Sequence, residues 1–180
     1  MRSIAAIRIA CACALLLSVV GLRALAGDDK QEHPKAPANP SFEALRALEG
    51  TWESDKPGQD GKPNQIIFHV MAAGSIVAET MFPGSAHEML NTYHMDGDTL
   101  MVTHYCAQGV QPRMKMVSNE NGTMKFEFFE GTNLKGHESE GHMGALELTI
   151  KGDKLSETWG FLKDGKVSGQ TTFELHRKNG

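Results

Sequence analysis

The stretch His87–Met116, HEMLNTYHMDGDTLMVTHYCAQGVQPRMKM, decides the fold. On either side of Asp96-Gly97 the side chains alternate, and a third run follows from Gln111. Alternation of period two marks a half-buried strand, and a pair of residues tolerant of positive φ between two such runs marks a tight hairpin. The same stretch holds His87, His94 and His104, three of the eight histidines, together with Cys106.

The pattern continues in both directions. Strands are expected at Thr51–Ser54, Gln65–Met71, Ser75–Met81, His87–Met95, Asp98–Cys106, Gln111–Val117, Thr123–Glu130, Ala145–Lys151, Lys154–Phe161 and Lys166–Arg177. The separators are turn pairs: Ala73-Gly74, Pro83-Gly84, Asp96-Gly97, Asn121-Gly122, Gly152-Asp153 and Asp164-Gly165. Ten short strands with no helix between them predict an all-β antiparallel meander, and closing it into an up-and-down barrel hides its edges. A two-sheet sandwich is the competing architecture, but it needs longer crossing connections. Met124, Phe126 and Phe128 alternate with Lys125 and Glu127, as one dry and one wet face require.

Ahead of the strands, Ser41 reads as the N-cap of a short helix that sets Phe42, Leu45 and Leu48 on one side and stops at Gly50. Residues 27–40, GDDKQEHPKAPANP, have the charge and proline content of a flexible linker. Residues 1–26 read as a signal peptide. Arg2 and Arg8 lead an apolar run from Ile9 to Leu22, and Ala24-Leu25-Ala26 is the small-x-small pattern that precedes cleavage before Gly27. The expected product is periplasmic or secreted, with its folded domain at 41–180. Cleavage removes Cys11 and Cys13 and leaves 15 basic against 22 acidic residues, a net charge of −7. That balance argues against nucleic acid as a partner, and no transmembrane segment is expected in the mature chain.

The short helix leading into Gly50-Thr51-Trp52-Glu53 and then a ten-strand meander resembles the lipocalin-like (calycin) barrels, in which a Gly-x-Trp on the first strand closes the floor. The segments Glu79-Thr80-Met81-Phe82-Pro83-Gly84, His87-Glu88-Met89, Asp96-Gly97-Asp98, Thr103-His104-Tyr105-Cys106 and Gln111-Pro112-Arg113-Met114 are similar to a group of exported bacterial proteins of that shape. The resemblance implies a barrel with a cavity and a small ligand. It assigns no catalytic residue.

If Asp96-Gly97 is the whole loop, Met95 faces Asp98, Tyr93 faces Leu100, Asn91 faces Val102, Met89 faces His104 and His87 faces Cys106. All of these share a side with Leu100 and Val102, so they are expected inside. His87, His104 and Cys106 would then converge, with His142 as a fourth group. Such a set can hold zinc or copper, and a single histidine can serve as the axial ligand of haem. The plainer reading is a hydrogen-bonded histidine and a small buried thiol, since the spacing matches no established metal motif.

Arg113 would grip an anionic head group if it pointed inward, yet Met114 and Met116 form the inward set and leave Arg113 in water. Glu157 shares its parity with Leu155, Trp159 and Phe161. It is either a carboxylate on a dry face with a raised pKa or, more simply, a glutamate at the barrel mouth that reaches solvent. The methionines suit an adaptable cavity wall.

No GxSxG, HExxH or phosphate loop occurs, so no catalytic residue is assigned and binding is favoured over enzymatic activity. The expected function is an exported protein holding a hydrophobic or amphiphilic small molecule, with His87, Met89, Tyr93, His104, Cys106, Arg113 and Glu157 as candidate ligand contacts. The alternative is a metal- or haem-binding barrel, with or without enzymatic activity, centred on His87, His104 and Cys106.

Overall fold

The alternating runs become ten strands in a computed structural model that describes residues 38–58, 61–135 and 141–178. In chain order they are β1 (Gly50–Pro57), β2 (Pro63–Met71), β3 (Ile76–Met81), β4 (Met89–Asp96), β5 (Thr99–Tyr105), β6 (Gln111–Glu120), β7 (Thr123–Thr132), β8 (His142–Lys151), β9 (Lys154–Lys163) and β10 (Lys166–Arg177), all after one short helix, α1 (Pro40–Arg46). Every strand pairs antiparallel with the next, and β1 pairs with β10, so the sheet is a closed up-and-down barrel. The expected signal peptide, and all but the end of the expected linker, lie outside the described residues.

Several strand ends differ from expectation by one to three residues, and two boundaries differ for identifiable local reasons. The N-cap of α1 is Asn39, not Ser41: its Oδ1 accepts from the backbone N–H of Ser41 at 2.9 Å and of Phe42 at 3.1 Å. Pro40 follows at the first helical position, where a missing N–H does no harm. In β8 the pairing begins at His142 rather than Ala145, because its register with β9 shifts between Met143 and Ala145. A bulge at Gly144 interrupts the alternation that would reveal the earlier start.

The central hairpin has a two-residue loop, but that loop is Gly97-Asp98. Asp96 pairs with Thr99, Tyr93 with Val102 and Asn91 with His104. Gly97 has φ +56°, while Asp98 is not among the residues with positive φ. That is the sign pattern of a turn that demands glycine at its first central position. The loop length, and therefore the inward face, is as expected; the partners are displaced by two residues.

The core lies inside the barrel and is closed at one end by α1. Phe42, Leu45 and Leu48 are buried against Trp52, Phe68 and Leu175. Trp52 donates from Nε1 to the Leu48 carbonyl at 2.8 Å. Across the β1–β10 seam, where Trp52 and Arg177 are register partners, the Arg177 guanidinium lies 4.6 Å from the Trp52 ring. The same guanidinium donates to the carbonyls of Ala47 at 2.8 Å and Glu49 at 2.7 Å, which follow the helix. One side chain therefore joins the last strand, the first strand and the plug.

Arg177→Ala is expected to lower unfolding stability by about 1–3 kcal/mol, through loss of the ring contact and of two charge-assisted hydrogen bonds. Arg177→Lys should recover less than half of that, since a single ammonium cannot both stack and fork. Urea unfolding of the two variants checks this; a lysine variant as stable as the parent protein would contradict it.

Candidate ligand-binding site

Strand register brings one row of polar side chains into the dry interior. Glu79 on β3 pairs with Asn91 on β4, and Asn91 pairs with His104 on β5. All three share a face with Val77, Tyr93 and Val102, which are fully buried. From β9, Glu157 shares its parity with Leu155 and Trp159 and is also fully buried. The expectation of a solvent-reaching Glu157 at the mouth is corrected: it sits on the dry face.

Contacts knit these groups into one cluster. The Tyr93 hydroxyl donates to Glu79 Oε2 at 2.6 Å, and Trp159 Nε1 donates to Glu157 Oε2 at 3.4 Å. The carboxyls of Glu79 and Glu157 are close enough to perturb each other's ionisation. His104 Nδ1 is 2.7 Å from Asn91 Oδ1, and its ring rests 5.1 Å from that of Trp159.

The electrostatics follow from burial. Desolvation raises the Glu79 carboxyl to about 7, against the pull of the Tyr93 hydrogen bond. Desolvation also raises Glu157 well above the usual carboxylate range, and the neighbouring Glu79 charge adds to it. Near neutrality the two carboxyls therefore retain at least one proton between them. Tyr93 is pushed far above its ordinary value, first by burial and then by the Glu79 and Glu157 charges. Burial lowers His104 to about 4, so its ring is neutral. Because Asn91 Oδ1 can only accept, Nδ1 carries the ring hydrogen and Nε2 presents a lone pair.

Four buried atoms of the cluster have no hydrogen-bond partner among the described residues: Glu79 Oε1, Asn91 Nδ2, His104 Nε2 and Glu157 Oε1. Orphaned buried polar atoms are uncommon and each calls for a partner. Here they fall on adjoining residues.

The other candidates lie elsewhere. His87 is exposed in the β3–β4 connection, where its backbone N–H donates to Ser85 Oγ. Cys106 lies past the end of β5 in a turn closed by its own N–H to the Val110 carbonyl, with its thiol 3.9 Å from Gln108 Oε1. His142 opens β8, with Nδ1 2.8 Å from the Met143 carbonyl and its ring 4.5 Å from that of Phe128. The expected convergence of His87, His104, Cys106 and His142 does not form, and among the described residues no three His, Cys, Asp or Glu side chains are grouped to hold a metal ion. The strand ends are the reason: β4 begins only at Met89 and β5 ends at Tyr105, so His87 and Cys106 fall in the connections outside the paired segments.

Arg113 points outward, paired with Glu130 and lying over the Phe129 ring, beside an outer groove of about 790 Å³ that it lines with His94 and Tyr105. Met89 is half-buried against the core. Glu79 and Asn91 complete the cluster; the signal for Glu79 is its parity with Val77 and Met81.

Replacing Glu157 with glutamine removes a group that binds its proton more tightly folded than unfolded. Such a group stabilises the fold at low pH, and its contribution fades as pH rises above the unfolded carboxylate value toward the raised folded one. Glu157→Gln is thus expected to match the parent protein within about 1 kcal/mol at pH 5 and to exceed it by roughly 1–3 kcal/mol at pH 8. Urea unfolding across that range measures the gap; a gap independent of pH would refute the raised carboxyl. The barrel is compatible with a lipocalin-like fold, while no family model matches the chain and no curated protein matches its sequence.

Proposed function

We propose that the chain is exported, with cleavage near Ala26-Gly27, and that it works as a lipocalin-like barrel binding one small amphiphilic molecule rather than as an enzyme. The observation that carries this reading is the set of four partnerless polar atoms on Glu79, Asn91, His104 and Glu157 in an otherwise apolar interior. A ligand whose polar end reaches them offsets a desolvation cost of about 1–3 kcal/mol for each group left unpaired.

The apolar part has a wall to meet. Toward the end away from α1, Phe82, Met89, Phe128, Met143 and Phe173 are partly buried against the core. Phe82 and Phe173 stand 5.6 Å apart, and flexible methionine thioethers adapt to an irregular guest. A cylinder of ten strands is also wider than one its own side chains readily fill.

A second reading keeps one specific observation, the free Nε2 of His104 with the ring held by Asn91 at Nδ1. That is how a histidine is oriented to ligate a metal centre, and haem added from solution would reveal it by a Soret band that disappears in His104→Leu.

Native mass spectrometry of freshly expressed protein tests the binding reading. The expected spectrum shows a bound small molecule, or uptake of an added apolar amphiphile, that is lost or weakened at least tenfold in His104→Leu. No adduct and no uptake would overturn the reading, and the polypeptide mass of protein recovered after export shows whether the chain starts at Gly27.

A further inference from the structure

We infer that the polar end of the ligand is a cationic amine, docked as an ammonium on Glu79 and His104. The inference rests on the binding reading above and names its ligand class. Its first basis is the hydrogen-bond inventory. Of the four partnerless atoms, His104 Nε2 and the Oε1 of an ionised Glu79 are acceptors, Asn91 Nδ2 is a donor, and Glu157 Oε1 belongs to the carboxyl that keeps its proton. A carboxylate head offers only further acceptors. An alcohol offers one hydrogen, whereas an alkylammonium offers three on one tetrahedral nitrogen, enough to serve both acceptors at once.

The second basis is charge. Among the described residues no lysine or arginine side chain is buried, and Arg113, the one candidate for gripping an anion, is occupied outside by Glu130. The titratable groups of the cluster are Glu79, Tyr93, His104 and Glu157, from β3, β4, β5 and β9. The other strands turn inward Trp52, Phe68, Met114, Phe126, Leu148 and Leu175, none of which titrates; of the ionisable groups nearer the ends, His142 on β8 packs on Phe128 and Arg177 on β10 packs on Trp52, and neither perturbs the carboxyl pair. Any negative charge on the carboxyl pair thus has no protein cation to answer it.

The binding step balances as one proton for one ammonium. The acid proton on Glu79 leaves to solvent, the carboxylate receives the ammonium, and Glu157 keeps its own proton. The dry site then holds one positive and one negative charge. Since Glu79 loses its proton at about 7, affinity for an amine that stays protonated throughout should rise about tenfold from pH 6 to pH 8.

Isothermal titration calorimetry with decylamine, 1-decanol and decanoate provides the test. Decylamine is expected to bind at least tenfold more tightly than either of the others at pH 8, and to release close to one proton at pH 6 when buffers of different ionisation enthalpy are compared. In Glu79→Gln the preference for amine over alcohol should vanish. Decanoate or 1-decanol binding as tightly as decylamine would overturn the amine inference and leave the binding reading standing. Failure of all three to bind would overturn both. The comparison of the three ligands on the unmodified protein stands even if the glutamine variant does not fold.

Discussion

A meander becomes a barrel only if its last strand meets its first, and here that meeting is organised by Arg177 on Trp52. Without the seam, β1 and β10 would each present an unpaired edge, an invitation to pairing with other chains. Closure also gives the helix its place. The guanidinium takes up two carbonyls that follow α1, and the indole takes the Leu48 carbonyl, so backbone acceptors at the buried floor are answered by side chains of the wall. The arginine remains partly exposed at the rim, which lets it carry a full charge while its plane covers the ring.

Everything unusual about the interior depends on that closure, because only a closed cylinder is dry. In an open sheet Glu79 and Glu157 would meet water and behave as ordinary carboxylates. Inside, with no cation beside them, the acids hold protons and His104 refuses one, so the site minimises its charge in every group that can titrate. A core built for stability alone would use leucine at these positions. The polar row weakens the fold by leaving atoms unpaired, and such a loss is characteristic of residues held for contact with something else.

The division between what the sequence reveals and what it conceals is physical. Parity is a local property and survives small errors: with a two-residue loop at either position, Tyr93, Asn91, Val102 and His104 stay on one face. Turn position is harder to read in Asp96-Gly97-Asp98, because Asp-Gly suits a turn with two positive φ values and Gly-Asp suits one with the glycine first. The chain uses the first kind at Asn121-Gly122 and Asp164-Gly165, where both residues have positive φ, and the second at Gly97-Asp98 and Gly152-Asp153. Arg177 was legible only as the end of a strand, since what it touches lies some 130 residues away in sequence. Glu157 was legible in its parity, but depth along the barrel axis is not a local property. Trp159 reads as core and is core, yet its indole N–H also serves Glu157.

A displacement of two residues at a surface turn thus reaches the chemistry of the interior. With Met89 opposite, His104 would have faced a thioether, free to take either tautomer and without a fixed orientation. With Asn91 opposite, an amide oxygen holds the hydrogen on Nδ1 and turns Nε2 into the site as an acceptor. The same register sets Glu79 beside Asn91, so three adjacent strands each contribute one polar side chain at the same level. An insertion that lengthens the loop by one residue would invert the inward face of one strand of the hairpin and scatter the row altogether. The turn, though distant from any ligand, is therefore as much a determinant of the site as the groups that line it.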